Sequence, residues 1–353
     1  MSDAAVQSKT HKPYLASLEK GKPVAWCRCG KSAKQPFCDG SHKGTSLEPF
    51  VFSVKESKDY LLCGCKRTQA PPFCDGSHNN LDDGYELASP EEIAATQNAK
   101  LIARTTGDYG KAALDGGAFV LTPDPSFAEP DGHQQWRSLI GLSDGAKNLN
   151  LLALHASKTS PWRIHKGGDT ILFVMSGAGH ANIEGVGFEI GPEIGVYVRK
   201  GEAFRLEPSE ALHVIAAVSP QLEPSEEPEH AAQSFSKMHP VRCVGVDLKA
   251  RQQMADRFYQ VLIGEDVGCE DMTQFIGEVP QSRAAFHRHL YEEAIVILSG
   301  EGVMWTRNCK TLVKPGDVIY LPPRQEHSLE CTSSSGLRLM GVFYPSGSPA
   351  INY

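Results

Sequence analysis

Two stretches of the chain repeat the same pattern of an apolar run followed by a glycine-rich turn. The segments DTILFVMSGAGH (169–180) and EAIVILSGEGVM (293–304) each place four to six apolar residues before Ser-Gly-x-Gly. A second pair, KGEAFRLEPSEALHVI (200–215) and KPGDVIYLPPRQEHSL (314–329), follows at similar distances. Short apolar runs bounded by Gly, Pro and Ser are typical of β-strands joined by tight turns. The pattern therefore predicts two copies of an all-β unit.

The stretches outside these copies differ in composition. Residues 219–240 contain four prolines and four glutamates, which cannot form a packed core and predict a linker. The two β units are therefore expected at residues 146–218 and 241–353. Residues 86–145 are predicted to form a connecting segment that contains strands and one short helix, which begins at Pro90 because proline is favoured at the first helical position.

The overall composition is that of a globular protein, with 353 residues, 41% hydrophobic and 22% charged. The N-terminus lacks the apolar region of a signal peptide, and no run of about 18 apolar residues predicts a membrane span. The formal charge of −7 gives no electrostatic reason to expect nucleic acid. We therefore expect a cytoplasmic protein that binds neither membrane nor nucleic acid.

Residues 26–44 and 61–80 carry the same spacing of cysteine and histidine. Each contains Cys-x-Cys, eight further residues, a third Cys, three residues and a His. The eight candidate ligands are Cys27, Cys29, Cys38 and His42 in the first motif and Cys63, Cys65, Cys74 and His78 in the second. Disulfides are disfavoured because the cytosol keeps thiols reduced. Structural zinc usually uses Cys-x2–4-Cys pairs, whereas the tighter Cys-x-Cys favours a larger group such as an iron–sulfur cluster.

The sequence FCDGSH, preceded by Cys-x-Cys at this spacing, resembles the CDGSH iron–sulfur family, the mitoNEET-like proteins. This resemblance implies that residues 1–85 form a tandem domain with two 2Fe–2S clusters, each bound by three Cys and one His. The two halves of such tandem members pair as an internal pseudo-dimer. A histidine ligand makes a cluster easier to reduce, so one-electron transfer is the expected role. Asp39 and Asp75 begin Asp-Gly turns and are interpreted as structural.

The second β unit contains four candidate metal ligands. His287-x-His289 is followed after three residues by Glu293, and His327 comes from a later part of the unit. If His287 and His289 lie on a strand, their side chains point to the same face. Convergence of all four inside a barrel would form a three-histidine, one-carboxylate metal site. Tyr291 lies between the ligands, and a role in the wall of the metal pocket and simple packing are both left open.

These ligands, together with PGDVIYLPPRQEHS (315–328), resemble the cupin superfamily over about residues 146–353. The resemblance implies a mainly β fold, a double-stranded β-helix (jelly-roll) bicupin, in which the four ligands bind one divalent metal ion. Fe(II) is expected, with Mn, Ni and Zn left open. Arg324 replaces the glycine that is usual in this second motif, which is a departure at a turn and not at a ligand.

The first β unit lacks part of this ligand set. Arg163 replaces one histidine and Thr170 replaces the glutamate, which leaves His165 and His213. Asp169 offers a carboxylate, but it is shifted by one residue along the strand, which would turn it to the other face. We therefore expect the first barrel to be a degenerate unit that binds no metal.

Three classes of function agree with this combination of sites. The first is an oxygenase in which clusters supply electrons to iron in the second barrel. The second is a cupin enzyme that needs no electrons, such as a dioxygenase, isomerase or decarboxylase. The third is a sensor of a ligand or of redox state.

Electron counting favours the oxygenase. Insertion of one oxygen atom into a substrate requires two electrons for the other atom, and two one-electron clusters hold that number. The expected partners are a small-molecule substrate and an electron donor such as a ferredoxin or a flavin reductase, because no flavin or nicotinamide motif is found. A homodimer is left open.

Overall fold

The computed structural model describes residues 12–81, 87–106, 109–123, 135–220, 225–231, 234–254 and 256–353. These residues form a small N-terminal module and two β-barrels, so the mainly β fold is confirmed. Within these ranges, the helices are too short to cross a membrane.

The N-terminal module consists of short strands that interleave its two halves. The strands are β1 (Tyr14–Leu18), β2 (Val24–Trp26), β3 (Phe50–Phe52) and β4 (Lys58–Leu62). β1 pairs with β4 and β2 with β3, so each antiparallel pair takes one strand from each half. Trp26 and Leu62 are buried at equivalent positions, bridged to Phe37 and Phe73, and form part of one apolar core. The halves therefore form the internal pseudo-dimer that the tandem motif implies.

The segment after this module begins with helix α1 (Pro90–Thr96). Ser89 caps the helix, because its side chain accepts a hydrogen bond of 3.1 Å from the backbone N–H of Glu92. The predicted helix is therefore confirmed. Three strands follow: β5 (Lys100–Leu101), β6 (Tyr109–Ala113) and β7 (Phe119–Pro123). Short 3-10 helices along the chain span Ser77–Asn80, Asp115–Gly117, Leu142–Asp144, Leu248–Ala250 and Glu265–Val267.

The first barrel is formed by two antiparallel sheets that enclose an apolar core. Its strands are β8 (Gln135–Ile140), β9 (Asn150–Ala156), β10 (Arg163–Ile164), β11 (Asp169–Ser176), β12 (Gly179–Ile183), β13 (Val186–Ile190), β14 (Ile194–Val198), β15 (Ala203–Pro208), β16 (Leu212–Ser219) and β17 (Cys243–Gly245). The larger sheet has the order β17-β14-β11-β16-β9-β8, and the smaller sheet has the order β10-β15-β12-β13.

The second barrel repeats this plan with a larger main sheet. Its remaining strands are β18 (Gln252–Met254), β19 (Arg257–Ile263), β20 (Thr273–Val279), β21 (Glu292–Ser299), β22 (Gly302–Trp305), β23 (Cys309–Val313), β24 (Val318–Leu321), β25 (Ser328–Cys331) and β26 (Leu337–Tyr344). The main sheet has the order β18-β19-β20-β26-β21-β24-β7-β6, and the smaller sheet has the order β25-β22-β23-β5.

The large sheet of each barrel is extended by strands from the segment that precedes the other barrel. β7 precedes the first barrel but pairs with β24 of the second, and β17 follows the linker but pairs with β14 of the first. The predicted connecting segment 86–145 is therefore divided, because β5, β6 and β7 join the second barrel and β8 joins the first. The sheets do not follow the boundaries predicted at residues 146 and 241. Turn residues and local composition show where one element of the chain ends, but they do not show which sheet a strand joins.

The two large sheets pack against each other through one shared apolar core. Ile171 and Phe173 of β11 face this core, as do Ala294 and Val296 of β21. The residues between them face the interiors of the two barrels. Because side chains alternate along a strand, both faces of these two strands are buried. This burial explains why the sequence shows continuous apolar runs here instead of an alternating pattern.

Strands β11 and β21 each begin with an acidic residue whose side chain faces the shared core. The carboxylate of Glu292 accepts hydrogen bonds of 2.6 to 3.1 Å from three consecutive backbone N–H groups before β9, and one of 3.0 Å from the hydroxyl of Tyr320. Asp169 occupies the equivalent position in the first barrel and accepts from the backbone of Lys200 (2.8 Å) and the hydroxyl of Tyr197 (3.2 Å). These buried carboxylates are therefore satisfied within the fold.

A buried ion pair fixes the end of the linker to the first barrel. The guanidinium of Arg242 donates two hydrogen bonds, of 2.7 and 2.8 Å, to the carboxylate of Glu202, and both residues are buried. The backbone carbonyl of Arg242 also accepts a hydrogen bond from the backbone N–H of Tyr197 in β14. Removal of one partner leaves an uncompensated buried charge, which is far more destabilising than removal of both.

We expect Glu202→Leu to lower the free energy of unfolding by about 3–5 kcal/mol, because Arg242 then stays buried without its carboxylate. The double variant Glu202→Leu with Arg242→Met should recover most of that loss. Glu19→Leu is a suitable control, because Glu19 pairs with Lys22 on the exposed surface and should change the value by about 1 kcal/mol or less. Urea denaturation measures all three, and wild-type stability of Glu202→Leu would contradict the interpretation.

Candidate metal centre and iron–sulfur sites

Three histidines converge in the second barrel. Ring nitrogens of His287, His289 and His327 lie within 4.8 Å of one another, and no other group of three metal-binding side chains in the described residues is as close. The sequence predicted a strand for His287 and His289, but both lie in an extended segment outside the named strands. Two backbone hydrogen bonds of 3.1 Å join His287 to His327 instead, and they hold the two chain segments together.

The backbone determines which nitrogen of each ring is available. The Nδ1 atoms of His287 and His327 lie 3.0 and 2.8 Å from the carbonyl oxygen two residues earlier in the chain. Nδ1 of His289 lies 3.2 Å from the carbonyl oxygen of Ile351. A carbonyl oxygen only accepts, so each Nδ1 carries the proton and each Nε2 keeps its lone pair. The three Nε2 atoms are therefore the ones that are free to bind a metal ion.

Glu293 and Tyr291 complete the surroundings of the three rings. Glu293 belongs to β21 and faces the barrel interior, where its Oε2 lies 3.8 Å from Nε2 of His289. The ring of Tyr291 stacks on His289 at 4.5 Å and on Phe343 at 4.0 Å. Tyr291 also lines the cavity beside the histidines, so the structure shows both the cavity contact and the packing that the sequence left open.

Burial controls the charge of these groups. It raises the pKa of Glu293 to about 8 and lowers the pKa of His289 to about 3 and of His327 to about 4. The pKa of His287 is also lowered well below its ordinary value by burial. At neutral pH, the metal-free site therefore contains neutral imidazoles and a protonated carboxyl. Neutral imidazoles and a carboxyl group that can release its proton are ligands that a divalent transition metal takes, so the residues fit such an ion.

The three histidines open into a cavity with mainly apolar walls. Its lining includes Met254, Phe258, Tyr259, Phe275, Val279, Ile295, Met304, Leu329, Leu339 and Pro349. The charged residues of this lining, besides Glu293, are Arg257 and Glu278. A largely apolar wall with a few polar groups is the usual character of a small-molecule site.

The structure explains the departure at Arg324. Its φ angle is +66°, in the left-handed region where glycine is usual. The backbone N–H of Arg324 donates to the carbonyl of His289 at 2.7 Å, and the guanidinium pairs with Asp59 of the N-terminal module. The side chain at this turn therefore contacts the cysteine-containing module, which a glycine would not do.

The remaining histidines of the first barrel have other contacts. Nδ1 of His165 lies 2.8 Å from the hydroxyl of Thr170, the residue at the position of the glutamate ligand. The ring of His213 stacks on His155 with a centroid distance of 4.4 Å. Asp169 faces the shared core between the barrels, where Tyr197 and a backbone N–H bind it. The shift of one residue thus turns this carboxylate away from His165, as the strand register predicted.

The donor atoms of each cysteine motif form two close pairs. In the first motif, the sulfur atoms of Cys27 and Cys29 are 3.8 Å apart, and the sulfur of Cys38 is 3.1 Å from Nδ1 of His42. In the second motif, the pairs Cys63–Cys65 and Cys74–His78 have corresponding distances of 3.5 and 3.5 Å. Burial raises the pKa of the Cys74 thiol to about 12, so its deprotonation requires a bound cation.

This pairing fits a two-iron cluster better than a single zinc ion. Zn–S distances of about 2.3 Å would bring every pair of sulfurs in a tetrahedral site to about 3.8 Å. No three donors of either motif lie within 4.8 Å of one another, since the histidines of the second barrel form the only such group in the described ranges. A cluster in which each iron takes one pair agrees with this separation.

The acidic residues of the two motifs stabilise turns. The carboxylate of Asp39 accepts from the backbone N–H groups of Ala33 (2.8 Å) and Ser41 (3.0 Å). Asp75 makes the same two contacts in the second motif, at 2.7 and 3.0 Å. A hydrogen bond from the side chain of Ser41, together with those from the backbone N–H groups of Ala33 and Ser41, lowers the pKa of Asp39. These contacts agree with the interpretation of both residues as part of a turn.

Sequence reasoning did not find the contribution of the C-terminal tail, residues 345–353. This segment provides the carbonyl that binds His289 and also contacts the second cysteine motif through Ala350. The tail contributes backbone groups and a small side chain, which leave no pattern of polar or apolar residues in the sequence. Its position was therefore visible only in the folded chain.

Comparison with known proteins supports both resemblances. The family described as iron-binding zinc finger CDGSH type matches residues 3–43, and the family described as cupin domain matches residues 277–343. The human mitochondrial CDGSH iron-sulfur domain-containing protein 3 is 60% identical over 30 residues, which are 8% of this chain and 24% of that protein. The chain carries an N-terminal CDGSH domain and a cupin domain. The CDGSH domain implies an iron–sulfur cluster.

Other relatives cover parts of the chain. The uncharacterized protein MJ1618 of Methanocaldococcus jannaschii is 38% identical over 65 residues, which are 18% of this chain and 52% of that protein. The chain therefore spans about half or less of the length of these two curated relatives. Among solved structures, protein Ylba from E. coli has a TM-score of 0.51 at 17% identity and covers 66% of this chain and 93% of its own.

A second solved structure with the same fold is the salicylate 1,2-dioxygenase from Pseudaminobacter salicylatoxidans. Its TM-score is 0.51 at 11% identity, over 61% of this chain and 78% of its own. At such identities these likenesses establish the fold alone. The double-barrel cupin fold of this chain is thus confirmed.

Single alanine substitutions of His287, His289, Glu293 or His327 should each remove the metal of the second barrel, because each removes one of the three converging histidines or the carboxylate beside them. The visible absorbance of the CDGSH domain should stay unchanged. Metal analysis of the purified variants measures the first effect. His165→Ala and His213→Ala are the matched controls in the first barrel, and loss of metal in either would overturn the degenerate interpretation of that barrel.

The first barrel also generates a prediction about pH. Burial lowers the pKa of His165 and of His213 from 6.5 to about 4. Between these values the unfolded chain binds more protons than the folded chain, so stability present above pH 6.5 is lost as the pH falls towards 4. His165→Asn should therefore reduce the difference between urea midpoints at pH 7.5 and 4.5. His180→Asn, at an exposed position of the same barrel, should not, and equal differences in all three proteins would contradict the assignment.

Proposed function

We propose that this protein is an iron-dependent oxygenase in which the CDGSH domain passes electrons to the metal site of the C-terminal cupin barrel. Two 2Fe–2S clusters, one in each motif, hold the electrons. The substrate is a small organic molecule that binds in the cavity beside the three histidines and Glu293. The electrons come from a separate donor such as a ferredoxin or a flavin reductase.

The observation that carries this proposal is a continuous chain of bonds from the second motif to a cupin histidine. Asn79 directly follows His78, and its side-chain N–H donates a hydrogen bond of 2.6 Å to the carbonyl of Ala350. The carbonyl of the next residue, Ile351, accepts from Nδ1 of His289 at 3.2 Å. Two hydrogen bonds and the intervening backbone therefore link a candidate cluster ligand to a candidate metal ligand.

The packing around this chain of bonds is tight. Gly76 has a φ of +85°, and a Cβ atom at this position would lie 2.7 Å from the Cβ of Ala350. The turn of the second motif therefore lies directly against the C-terminal tail. Gly40, at the same place in the first motif, also has a positive φ, but a Cβ there would meet no atom within 4 Å. Of the two motifs, the second is the one that packs against the tail.

The two motifs differ in their access to solvent. The side chain of His42 is 20% exposed and its Nε2 lies 3.3 Å from Glu48, whereas His78 is 1% exposed. An external electron donor can therefore approach the first motif more closely, whereas the second motif faces the interior of the molecule. This asymmetry supports entry of electrons at the first cluster and exit from the second.

Polar side chains also connect the two motifs. The ammonium group of Lys66 donates to the side-chain carbonyl of Gln35 (3.0 Å) and to the backbone carbonyl of Cys63 (3.1 Å). The side-chain N–H of Gln35 donates to the sulfur of Cys27 at 3.3 Å. A half-buried cation between the motifs favours the negative charge that reduction adds to a cluster.

The proposed reaction balances with the electrons that two clusters hold. One oxygen atom enters a C–H bond as a hydroxyl group, and the other leaves as water after it takes up two electrons and two protons. Bound iron would supply the site at which dioxygen is activated. The apolar walls of the cavity exclude water, and Tyr291 holds the ring of His289 in place by stacking.

Reoxidation of the reduced clusters by air tests this proposal without knowledge of the substrate. The iron-loaded protein is reduced anaerobically with dithionite and then mixed with dioxygen, and the visible absorbance of the clusters is followed in a stopped-flow instrument. Asn79→Ala should slow reoxidation several-fold, because it removes the hydrogen bond to Ala350. Glu293→Ala should slow it as well, because it removes the cupin metal.

The chain offers a matched control at the equivalent position of the first motif. Lys43 follows His42 as Asn79 follows His78, and it is exposed. Lys43→Ala should therefore leave the rate unchanged. Equal rates in the wild type, Asn79→Ala and Glu293→Ala would show that electrons do not pass through the cupin site. That result would favour a cupin enzyme that needs no electrons.

A further inference from the structure

The positive charge of this protein is concentrated in its N-terminal module. Residues 12–81 contain 11 Lys and Arg residues and 6 Asp and Glu residues, whereas the whole chain contains 35 and 42 and has a formal charge of −7. The module is therefore basic within an acidic chain. Exposed charges are screened beyond about 8 Å at physiological salt, so a partner that contacts only the module meets mainly its positive charge.

The first cysteine motif carries more positive charge than the second. Four basic residues lie within residues 26–44, and Asp39 is the one acidic residue in that range. The four are Arg28, Lys31, Lys34 and Lys43. The residues at the same places of the second motif are Gly64, Arg67, Ala70 and Asn79. The second motif thus keeps one of the four charges, although both motifs have the same candidate ligands.

All four basic side chains of the first motif are exposed, and they form what we call the basic surface. The second motif has a lysine that the first motif lacks, Lys66, but its side chain is half-buried. The ammonium group of Lys66 donates to the side chain of Gln35 and to the backbone carbonyl of Cys63. The basic surface is therefore open to a partner, whereas Lys66 is held between the motifs.

The basic surface lies next to the donor atoms of the first motif. Arg28 lies between Cys27 and Cys29, and Lys43 directly follows His42. The side chain of His42 is itself 20% exposed, so this candidate ligand reaches the surface of the module. A protein that docks on the basic surface is therefore close to the first cluster, as the transfer of an electron requires.

Two carboxylates lie in the same region and do not cancel the positive charge. Asp39 accepts hydrogen bonds from the backbone N–H groups of Ala33 and Ser41. Glu48 lies 3.3 Å from Nε2 of His42, and its side chain is 83% exposed. Four positive charges and two negative charges leave the region around His42 with a net positive charge.

We propose that an acidic protein that carries one electron docks on the basic surface and reduces the first cluster. Each docking event transfers one electron, so the carrier is oxidised by one electron and the cluster is reduced by one. Two such events supply the two electrons that the proposed oxygenase reaction consumes. This inference names the kind of partner for the function proposed above and rests on that proposal.

The arrangement of the charges favours a protein over a small anionic reductant. The four basic residues are spread between positions 28 and 43, and all of them are exposed. An exposed ion pair contributes about 1 kcal/mol or less, so a small anion that contacts one or two of these residues binds weakly. A protein face with several carboxylates contacts all four residues and is also steered towards them during the encounter.

Binding of a plant-type 2Fe–2S ferredoxin, an acidic one-electron carrier, tests this inference. Isothermal titration calorimetry would measure its affinity for the full-length protein, with all clusters oxidised, at about 20 mM and about 200 mM salt. The wild type should bind ferredoxin, and the affinity should fall at the higher salt because exposed charges are then screened. Since the chain as a whole is negatively charged, an acidic protein should bind only through a local positive surface.

Charge reversal at two residues locates the binding site. The double variant Lys31→Glu with Lys34→Glu should weaken ferredoxin binding at least about 10-fold, because attraction at two positions becomes repulsion. The matched control is Arg67→Glu with Ala70→Glu, which places glutamates at the same two positions of the second motif, both exposed. This control should bind ferredoxin within about 2-fold of the wild type. The visible absorbance of the clusters and the melting temperature verify that both variants are folded.

The entry of electrons gives a second measurement. Reduced ferredoxin is mixed anaerobically with the oxidised protein in a stopped-flow instrument, and the visible absorbance reports reduction of the clusters. The second-order rate constant should fall in the variant of Lys31 and Lys34 and stay near the wild-type value in the control. Because neither dioxygen nor substrate is present, both measurements are independent of whether electrons reach the cupin site.

Four outcomes would overturn the inference. Equal ferredoxin affinity in the wild type and in the variant of Lys31 and Lys34 would exclude the basic surface. An equal loss of affinity in the control variant would show an effect of net charge alone. If the variant of Lys31 and Lys34 does not assemble its clusters, a wild-type affinity that is the same at both salt concentrations would refute the proposal.

The fourth outcome is that ferredoxin does not bind the wild type. Reduced flavin mononucleotide would then be used in its place in the anaerobic measurement. Faster reduction of the wild type than of the variant of Lys31 and Lys34 would assign the basic surface to a small phosphate-bearing reductant instead of a protein.

Discussion

Both faces of strand β21 are buried from Glu292 to Ile297, so each of these residues contributes either to the core between the barrels or to the interior of the second barrel. Glu292 faces the shared core, where backbone N–H groups and Tyr320 satisfy its carboxylate. Glu293 faces the interior, where burial raises its pKa to about 8. In the first barrel the acidic residue, Asp169, is on the shared-core side, and Thr170 occupies the interior position. The two strands have the same register, so the difference between the two metal-site regions lies in the interior position, which is a glutamate in the second barrel and a threonine in the first.

Local spacing predicted much of this molecule from the sequence. Side chains that share a short segment, such as Cys27 and Cys29 or Cys38 and His42, come together in the fold at the distances expected of paired ligands. The cupin histidines also converge, although a backbone bridge and not a strand holds His287 beside His327. The cysteine pairs depend on neighbours in the chain, which are visible in a sequence, whereas the bridge between His287 and His327 joins distant segments.

Features that depend on distant backbone contacts could not be predicted. β7 precedes the first barrel but joins the second, and β17 follows the linker but joins the first. Short apolar segments do not indicate which strand they pair with. The C-terminal tail contacts the second motif and His289 mainly through carbonyl groups, which every residue has. In the sequence, Arg324 only replaces the glycine that is usual in the second cupin motif. Its ion pair with Asp59 explains why a side chain is present at this turn.

We propose that the second CDGSH cluster lies close enough to the cupin metal to exchange electrons with it. Electron paramagnetic resonance tests this proximity directly, because a fast-relaxing Co(II) ion shortens the spin relaxation of a nearby reduced cluster and diamagnetic Zn(II) does not. The reduced protein would be measured with Co(II) or Zn(II) in the second barrel. We expect faster relaxation of one cluster signal with Co(II), and the loss of this effect in His287→Ala. Identical relaxation with both metals would contradict the claim.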